Sequence, residues 1–112
     1  MHEMTLAEGV VRIVEEVAQR EQARRILGVS VEIGRLAAVE PQALAFCLEA
    51  ASRGTLAEGA EFHLIDVAGG GWCTACAGDV PMTTSYDGCP ACGGRLRITR
   101  GNEMRVRDVE IE

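Results

Sequence analysis

Four of the five cysteines fall in two Cys-x-x-Cys pairs. Cys73 and Cys76 form the first pair, Cys89 and Cys92 form the second, and 12 residues separate the pairs. Four thiolates from two short turns can close a tetrahedral shell, which suits Zn(II). Such a shell leaves no open position for a substrate or for water, so we expect the zinc to be structural. Glycines follow each pair, where the chain must turn tightly: Gly78, Gly93 and Gly94.

Other interpretations of these cysteines compete with zinc. Iron in a rubredoxin-like site would suit the segment Cys89-Pro90-Ala91-Cys92-Gly93 equally well, and the cysteines could also be buried apolar residues or a redox pair. The fifth, Cys47, stands apart and is interpreted as a buried or partly exposed thiol outside the metal site.

The first three residues, Met1-His2-Glu3, offer a second kind of metal chemistry. A histidine at position two lets the chain-start amine, the His2 backbone nitrogen and the His2 ring nitrogen bind one metal in fused chelate rings. The backbone nitrogen of Glu3 could complete a square plane, and nitrogen ligation of that kind suits Ni(II) or Cu(II). Taken alone, a histidine near a chain start is usually a solvated tail residue.

Helices and strands must position these groups. Thr5 and Glu8 fit a capping box, and apolar residues at helical spacing predict a helix over residues 6–26, with Gly28 as its C-terminal cap. We therefore expect residues 1–3 to lie before the helix and to bury little surface. Residues 29–33 alternate as a half-buried strand, and Pro41 opens a second helix that stops at Gly54.

Two further strands frame the cysteines, at residues 61–67 and 103–112, the latter with a bulge near Arg107 and Asp108. The segment between them is rich in glycine and lacks helical periodicity. We interpret Gly69-Gly70-Gly71 as a flexible join. The predicted fold class is α+β, with two helices on a three-stranded mixed sheet and an inserted zinc-ribbon-like module. Its predicted domains are 1–68 with 102–112, the nickel-binding domain, and 69–101, the zinc-binding module.

Composition bounds the function. The chain has 112 residues, 17 acidic residues and 11 arginines, for a net charge of −6. An acidic surface argues against a nucleic-acid partner, whose phosphates need a basic face. No stretch approaches the ~18 apolar residues of a membrane helix, and charged residues interrupt the first 20 residues, so we expect no membrane segment and no export signal. The expected compartment is the reducing cytoplasm, where cysteines favour metal binding over disulfides.

The whole pattern resembles the HypA family, the nickel-insertion proteins of [NiFe]-hydrogenase maturation. The resemblance covers the full length and rests on the start MHEMTLAEGVV, the strand VEIGRL, the segment EPQALAFCLEAASRGTLAEGA, the paired CxxC motifs and the closing EMRVRDVEIE. It implies that Met1, His2 and Glu3 match the family's nickel-binding start. It also implies that Cys73, Cys76, Cys89 and Cys92 match its zinc ligands.

The resemblance also implies a fold, a cargo and partners. Family members have a small α/β nickel-binding domain with a mobile zinc-binding domain. They carry Ni(II) as transported cargo and Zn(II) as a structural ion. They pass nickel to the hydrogenase large subunit precursor, working with the GTPase HypB, and some serve urease maturation with urease accessory proteins.

Three rival functions remain at this stage. An enzyme is disfavoured, because only His2 and His63 are histidines and because neither a nucleophile elbow nor a phosphate-binding loop is present. His63 is interpreted as a surface or satisfied residue. A nucleic-acid-binding zinc ribbon is disfavoured by a nearly neutral 69–101 segment whose only stacking candidates are Trp72 and Tyr86. The third rival is an interaction module that zinc stabilises and that binds no nickel. It differs from the nickel-carrier hypothesis only in the role of the chain start.

Overall fold

The computed structural model describes residues 2–112 of the chain. Its elements in order are α1 (Glu3–Arg20), β1 (Ile26–Gly34), a 3-10 turn (Arg35–Ala37), α2 (Pro41–Ser52), β2 (Glu61–Val67), β3 (Gly69–Cys73), β4 (Gly78–Met82), β5 (Leu96–Arg100) and β6 (Met104–Ile111). None of the helices in this described part is long and apolar enough to cross a bilayer.

The chain divides into two compact units. Unit 1 comprises the residues up to Glu32, Val39–Ile65 and Arg105–Glu112, and unit 2 comprises Ile33–Ala38 and Asp66–Met104. The module expected at residues 69–101 lies inside unit 2, which also takes in a short segment from the end of β1. We describe each unit by itself.

Helix α1 begins earlier than its sequence pattern indicates. His2 is the N-cap residue, without a side-chain capping bond, and Glu3 already lies in the helix. The predicted Thr5 cap is therefore wrong, because Thr5 lies within the first turn of the helix. Glu3 is also buried, at 8% exposure, so the expectation that residues 1–3 bury little surface is wrong at this residue.

The same helix ends earlier than predicted, at Arg20. Gln22 adopts a left-handed backbone conformation, with φ of 56°. Its N–H donates to the Gln19 carbonyl at 3.1 Å, and the Ala23 N–H donates to the Ala18 carbonyl at 2.8 Å. These two bonds form a Schellman motif, which stops the helix without a glycine. Gly28, the predicted cap, lies inside strand β1 instead.

One three-stranded sheet has the order β2-β1-β6. Ile26 at the start of β1 donates to the carbonyl of Leu56, just before β2, at 2.9 Å. Arg35, directly after the end of β1, pairs with Asp66 near the end of β2. Strands β1 and β2 therefore run parallel, as a strand–helix–strand crossover through α2 requires.

Strand β6 runs antiparallel to β1. Glu112 bonds to the Arg25 carbonyl at 3.0 Å, whereas Glu103 accepts from the N–H of Gly34 at 2.9 Å. The sheet is thus mixed, as predicted. Side chains also join the two strands, since Arg105 pairs with Glu32. Arg107 and Asp108 are both exposed, so the alternation along β6 slips phase at the predicted position. A bulge there stays a prediction.

The core of unit 1 is built from both helices and the central strand. Its buried apolar residues are Ala7, Val10, Val11, Val14, Ala18, Ile26, Val29, Val31, Leu44, Leu48 and Ala57. Val29 and Val31 lie on one face of β1, while Ser30 and Glu32 lie on the other. The helices supply the apolar layer that this face of the sheet needs.

Unit 2 is organised by a second sheet of order β4-β3-β5, antiparallel at both pairings. The triple glycine, interpreted from sequence as a flexible join, forms most of the central strand and is buried. A Cβ at Gly70 would lie 2.1 Å from the Arg100 guanidinium carbon, and one at Gly71 would lie 2.6 Å from the Met82 sulfur. These glycines allow close packing, so the interpretation of a flexible join is wrong.

Candidate metal centres

The first cysteine pair lies in the turn of a hairpin. Cys73 ends β3 and pairs in register with Gly78, which begins β4. The Cys76 N–H donates to the Cys73 sulfur at 3.4 Å. Ala77, directly after the second cysteine, has a φ of 52°, so the left-handed residue of this turn is an alanine rather than the predicted Gly78. A non-glycine residue in that conformation costs about 1–2 kcal/mol, which the surrounding structure must offset.

The second pair forms a matching turn just before β5. The Gly93 N–H donates to the Cys89 carbonyl at 2.7 Å, and the Cys89 N–H donates to the Gly94 carbonyl at 2.9 Å. Gly94 also donates to the Cys92 sulfur at 3.3 Å. Gly93 has a φ of 73°, so here the predicted glycine is the left-handed residue. The two turns therefore have equivalent geometry on different sequences.

The two turns bring all four sulfurs together. Their Sγ atoms lie within 4.8 Å of one another. The Cys73 and Cys92 sulfurs are 3.6 Å apart, and the Cys76 and Cys89 sulfurs are 4.0 Å apart. A tetrahedral zinc with bonds of ~2.3 Å places its sulfurs about 3.8 Å apart, between these two distances. Both distances exceed the ~2.05 Å of a disulfide, and all four thiols are free.

The electrostatics of the cluster calls for a cation. The pKa of Cys76 is raised to about 12, chiefly by the Cys92 thiol and then by Cys73 and Cys89. Backbone N–H groups of Cys92 and Ala91 instead lower the pKa of Cys89 to about 7. Four sulfurs at these distances cannot all ionise beside one another unless a positive charge lies between them. A divalent ion that prefers thiolate ligands fits this donor set.

Asp87 holds the segment just before the second cysteine turn in place. The sequence pattern did not identify this residue. Its carboxylate accepts from the Thr83 N–H at 2.8 Å and the Thr84 N–H at 3.2 Å. The Thr84 hydroxyl also donates to it. These bonds, the hydroxyl first, lower the pKa of Asp87 to about 2. The available signal was an aspartate three residues after a threonine, in a segment with turn composition.

The candidate nickel residues lie at the start of α1. Met1 lies outside the described residues. His2 is exposed and its carbonyl accepts from the Leu6 N–H at 2.9 Å, which closes the first turn of the helix. Amides at a helix start have no carbonyl partner within the helix. The helix therefore does not occupy the His2 and Glu3 backbone nitrogens in its own hydrogen bonds.

The Glu3 side chain has a packing role as well. Its carboxylate accepts from the Glu40 N–H at 3.1 Å. Glu40 in turn caps α2, because its side chain accepts from the Ala43 N–H at 2.9 Å. Glu3 thereby links the starts of the two helices of unit 1.

The remaining thiol and the second histidine lie apart from both groups. Cys47 is half-buried on α2. The exposed His63 lies 3.6 Å from Glu61, measured between its Nε2 and the carboxylate. Within residues 2–112 the four-cysteine cluster is the only group of three or more metal-binding side chains whose ligand atoms lie close together.

The chain is similar to known proteins over its whole length. Residues 1–111 match the protein family described as "Hydrogenase/urease nickel incorporation, metallochaperone, hypA". Hydrogenase maturation factor HypA of Dechloromonas aromatica is 53% identical over 100% of both chains. The protein of that name from Azotobacter vinelandii is 45% identical over 100% of both chains.

Solved structures share the fold. The solution structure of the Ni metallochaperone HypA from Helicobacter pylori has a TM-score of 0.72 at 26% identity, covering 99% of this chain and 97% of that one. A second solution structure, described as that of HypA protein, has a TM-score of 0.75 at 27% identity, covering 100% and 97% of the two chains. The predicted fold class, two helices with a mixed sheet and a zinc-ribbon-like module, is confirmed.

Proposed function

This chain belongs to the HypA family of nickel-incorporation metallochaperones for hydrogenase and urease, and we propose that it binds Ni(II) and delivers it to the large-subunit precursor of a [NiFe]-hydrogenase. The observation that carries this proposal is the family match over residues 1–111, with the Met1-His2-Glu3 start inside it. Urease is the second proposed recipient, with urease accessory proteins as partners, since the family description names both enzymes.

The proposed nickel ligands are nitrogens of the first three residues. The Met1 amine, the His2 ring and backbone nitrogens and the Glu3 backbone nitrogen form fused chelate rings around a square-planar ion. The exposure of His2 supports this assignment, because a cargo ion must enter and leave. The bond between the Glu3 carboxylate and the Glu40 N–H supports it too, because it anchors Glu3 at the start of α1.

The proposed resident ion is Zn(II), held by Cys73, Cys76, Cys89 and Cys92. It supplies folding energy to its module rather than chemistry, since four thiolates close the shell. The Cys76 and Gly94 N–H groups that donate to sulfurs would orient the ligands and spread their charge. We propose that residues 69–101 are the zinc-binding module and that residues 1–68 with 102–112 are the nickel-binding domain.

The proposed mode of action is complex formation without catalysis. The sequence contains no phosphate-binding loop, so a nucleotide-driven step must come from a partner. The proposed partners are the GTPase HypB and the hydrogenase precursor, in the cytoplasm. An acidic carrier suits this role, since its net charge of −6 attracts a divalent cation.

The test is nickel insertion in cells. A strain that lacks this chain should make hydrogenase large subunit without nickel, and the wild-type chain should restore the nickel content. The His2→Ala chain should fail to restore it while accumulating to the same level with its zinc. Normal nickel content in the strain that lacks the chain, with no second copy of the gene, would refute the proposal.

A further inference from the structure

The unit 1 sheet has two outer strands, β6 and β2. Strand β2 has seven residues and contains no proline. Among residues 2–112, no strand pairs with the outer side of β2. Proteins normally block such an edge, since its backbone groups can pair with another chain.

A cavity lies beside this open edge. It has a volume of about 490 Å³ and lies between α2, the following loop and the start of β2. Two phenylalanines line it, Phe46 from α2 and Phe62 from β2, together with small residues. Phe46 is 68% exposed, which makes it the most exposed large apolar side chain of unit 1 among the described residues. A strand edge and an aromatic cavity thus lie together.

The geometry of a sheet connects the two features. Side chains of a strand alternate between its faces, so Phe62 and Leu64 share the face that carries α2. A segment that paired with the outer edge of β2 would place every second side chain on that same face. Those side chains would lie beneath the exposed side of α2, where Phe46 and Ala45 line the cavity.

The charges around the cavity select the occupant. Glu49 is the only charged side chain in its lining, and it forms no ion pair within the described residues. Unit 1 contains 13 of the acidic residues and seven of the arginines, so it carries the whole net charge of −6. An arginine or lysine of the incoming segment would therefore be attracted by the Glu49 carboxylate and by the negative charge of unit 1.

We propose that the outer edge of β2 is a docking site for an extended segment of a partner protein, which pairs as a fourth strand. One aromatic or aliphatic side chain of that segment fills the Phe46–Phe62 cavity, and a neighbouring arginine or lysine pairs with Glu49. Backbone hydrogen bonds supply affinity in this mode of recognition, and the cavity and carboxylate supply specificity. This docking site is independent of the metal assignments.

The first experiment selects binders from a library of random linear dodecapeptides displayed on phage, using the full zinc-loaded chain as bait. We expect selected peptides to combine a basic residue with apolar residues at alternate positions. Acidic peptides, or no peptide above background, would overturn the proposal.

The second experiment maps where the best selected peptide binds. Amide exchange should slow at alternate β2 amides, those turned away from β1, and a peptide methylated at its alternate backbone nitrogens should lose binding. Phe46→Ser and Glu49→Arg should each weaken binding about tenfold or more. Ile13→Ser removes an apolar side chain that is 48% exposed on α1, and it should change binding less than about twofold.

The outcomes separate the alternatives. Equal binding to wild type and Phe46→Ser, or exchange protection on β6, would overturn the assignment of this edge. A wild-type chain that dimerises in sedimentation velocity, with a monomeric Phe46→Ser variant, would show that a second copy occupies the edge and would overturn the choice of partner. Thermal melting and zinc content of Phe46→Ser should match wild type, because the side chain is mostly exposed.

Discussion

The Glu3 carboxylate accepts a hydrogen bond from the backbone N–H of Glu40 at 3.1 Å, so the start of α1 is tied to the residue that caps α2. One residue therefore carries two functions in the proposed assignment. Its side chain holds the helix starts together, and its backbone nitrogen is a proposed nickel ligand. The Glu40 bond uses the carboxylate oxygen Oε2, and the proposed assignment places nickel on the backbone nitrogen.

This relationship predicts that Glu3 substitutions change folding stability more than nickel ligation. Glu3→Ala removes the acceptor for the Glu40 N–H and should lower the urea midpoint, because a part-buried donor loses its partner. Glu3→Gln keeps an oxygen in the same place and should lie closer to wild type. Nickel titration by calorimetry should find a site in both. Loss of nickel binding in Glu3→Gln with unchanged stability would instead identify the carboxylate as the ligand.

A second long-range carboxylate contact predicts a stability difference between adjacent residues. Glu15 accepts from the Leu56 N–H at 3.0 Å, just after α2, in a part-buried position. Glu15→Ala should destabilise the chain by about 1 kcal/mol, since the Leu56 donor loses its partner. The neighbouring Glu16 is exposed and serves as the control; Glu16→Ala should lie within about 0.5 kcal/mol of wild type. Equal midpoints for the two variants in urea unfolding would contradict this account.

Close packing in unit 2 predicts a graded response to alanine at two glycines. Gly101 and Gly54 have similar left-handed backbones, with φ of 81° and 77°. A Cβ at Gly101 would lie 2.5 Å from the Gly69 Cα, whereas one at Gly54 meets nothing within 4 Å. Gly54→Ala should cost about 1–2 kcal/mol from backbone strain alone.

Gly101→Ala should lower the free energy of unfolding more than Gly54→Ala does. The new Cβ would also force the backbone atoms of residue 69 to move away. Denaturant unfolding with a probe in each unit would measure both values. If the two substitutions cost the same, the contact between residues 69 and 101 would not be as close as described.

Features that depend on residues close together in the chain could be predicted from the sequence. The cysteine turns depend on residues a few positions apart, and Pro41 marks the start of α2 correctly because proline suits only the first turn. The start of α1 is different. Glu3 joins the helix through a bond to Glu40, 37 residues away, which no local capping rule contains.

The triple glycine shows the same limit. The sequence alone cannot distinguish a glycine that makes a segment flexible from one that allows close packing. At Gly70 and Gly71 the neighbouring Arg100 and Met82 side chains show that the glycines allow close packing. The three strands of unit 2 were missed for this reason, since their central strand is mostly glycine. The alanine at position 77 was also unpredictable, because only the fold of the turn requires a left-handed residue there.

The cysteine cluster predicts one zinc per chain. Cys76→Ala leaves three ligands and should abolish stoichiometric zinc, measured by elemental analysis after dialysis against a weak chelator. Amide NMR signals of residues 69–101 should collapse, because the metal supplies most of the folding energy there. Signals of the unit 1 core should remain.

Cys47→Ala is the matched control, since this thiol lies outside the cluster and should leave the zinc content at one. A zinc-free preparation in which residues 69–101 stay ordered would contradict the structural role of the metal. Iron instead of zinc would be evident from the colour of the protein.

The sharpest prediction concerns the chain start. If Ni(II) uses the Met1 amine together with the His2 ring and backbone nitrogens, the site depends on where the chain begins. His2→Ala should abolish high-affinity nickel binding and leave zinc untouched. A Gly-Ser extension ahead of Met1 keeps His2 but moves the amine away and changes the chelate rings, so it should weaken nickel binding similarly. His2 is exposed and caps α1 without a side-chain bond, so both forms should melt like wild type. Calorimetric titration of the native start, the extended start and His2→Ala decides the matter. Equal nickel affinity in all three would place the metal elsewhere, and the exposed His63 with its neighbour Glu61 would then be the next site to examine.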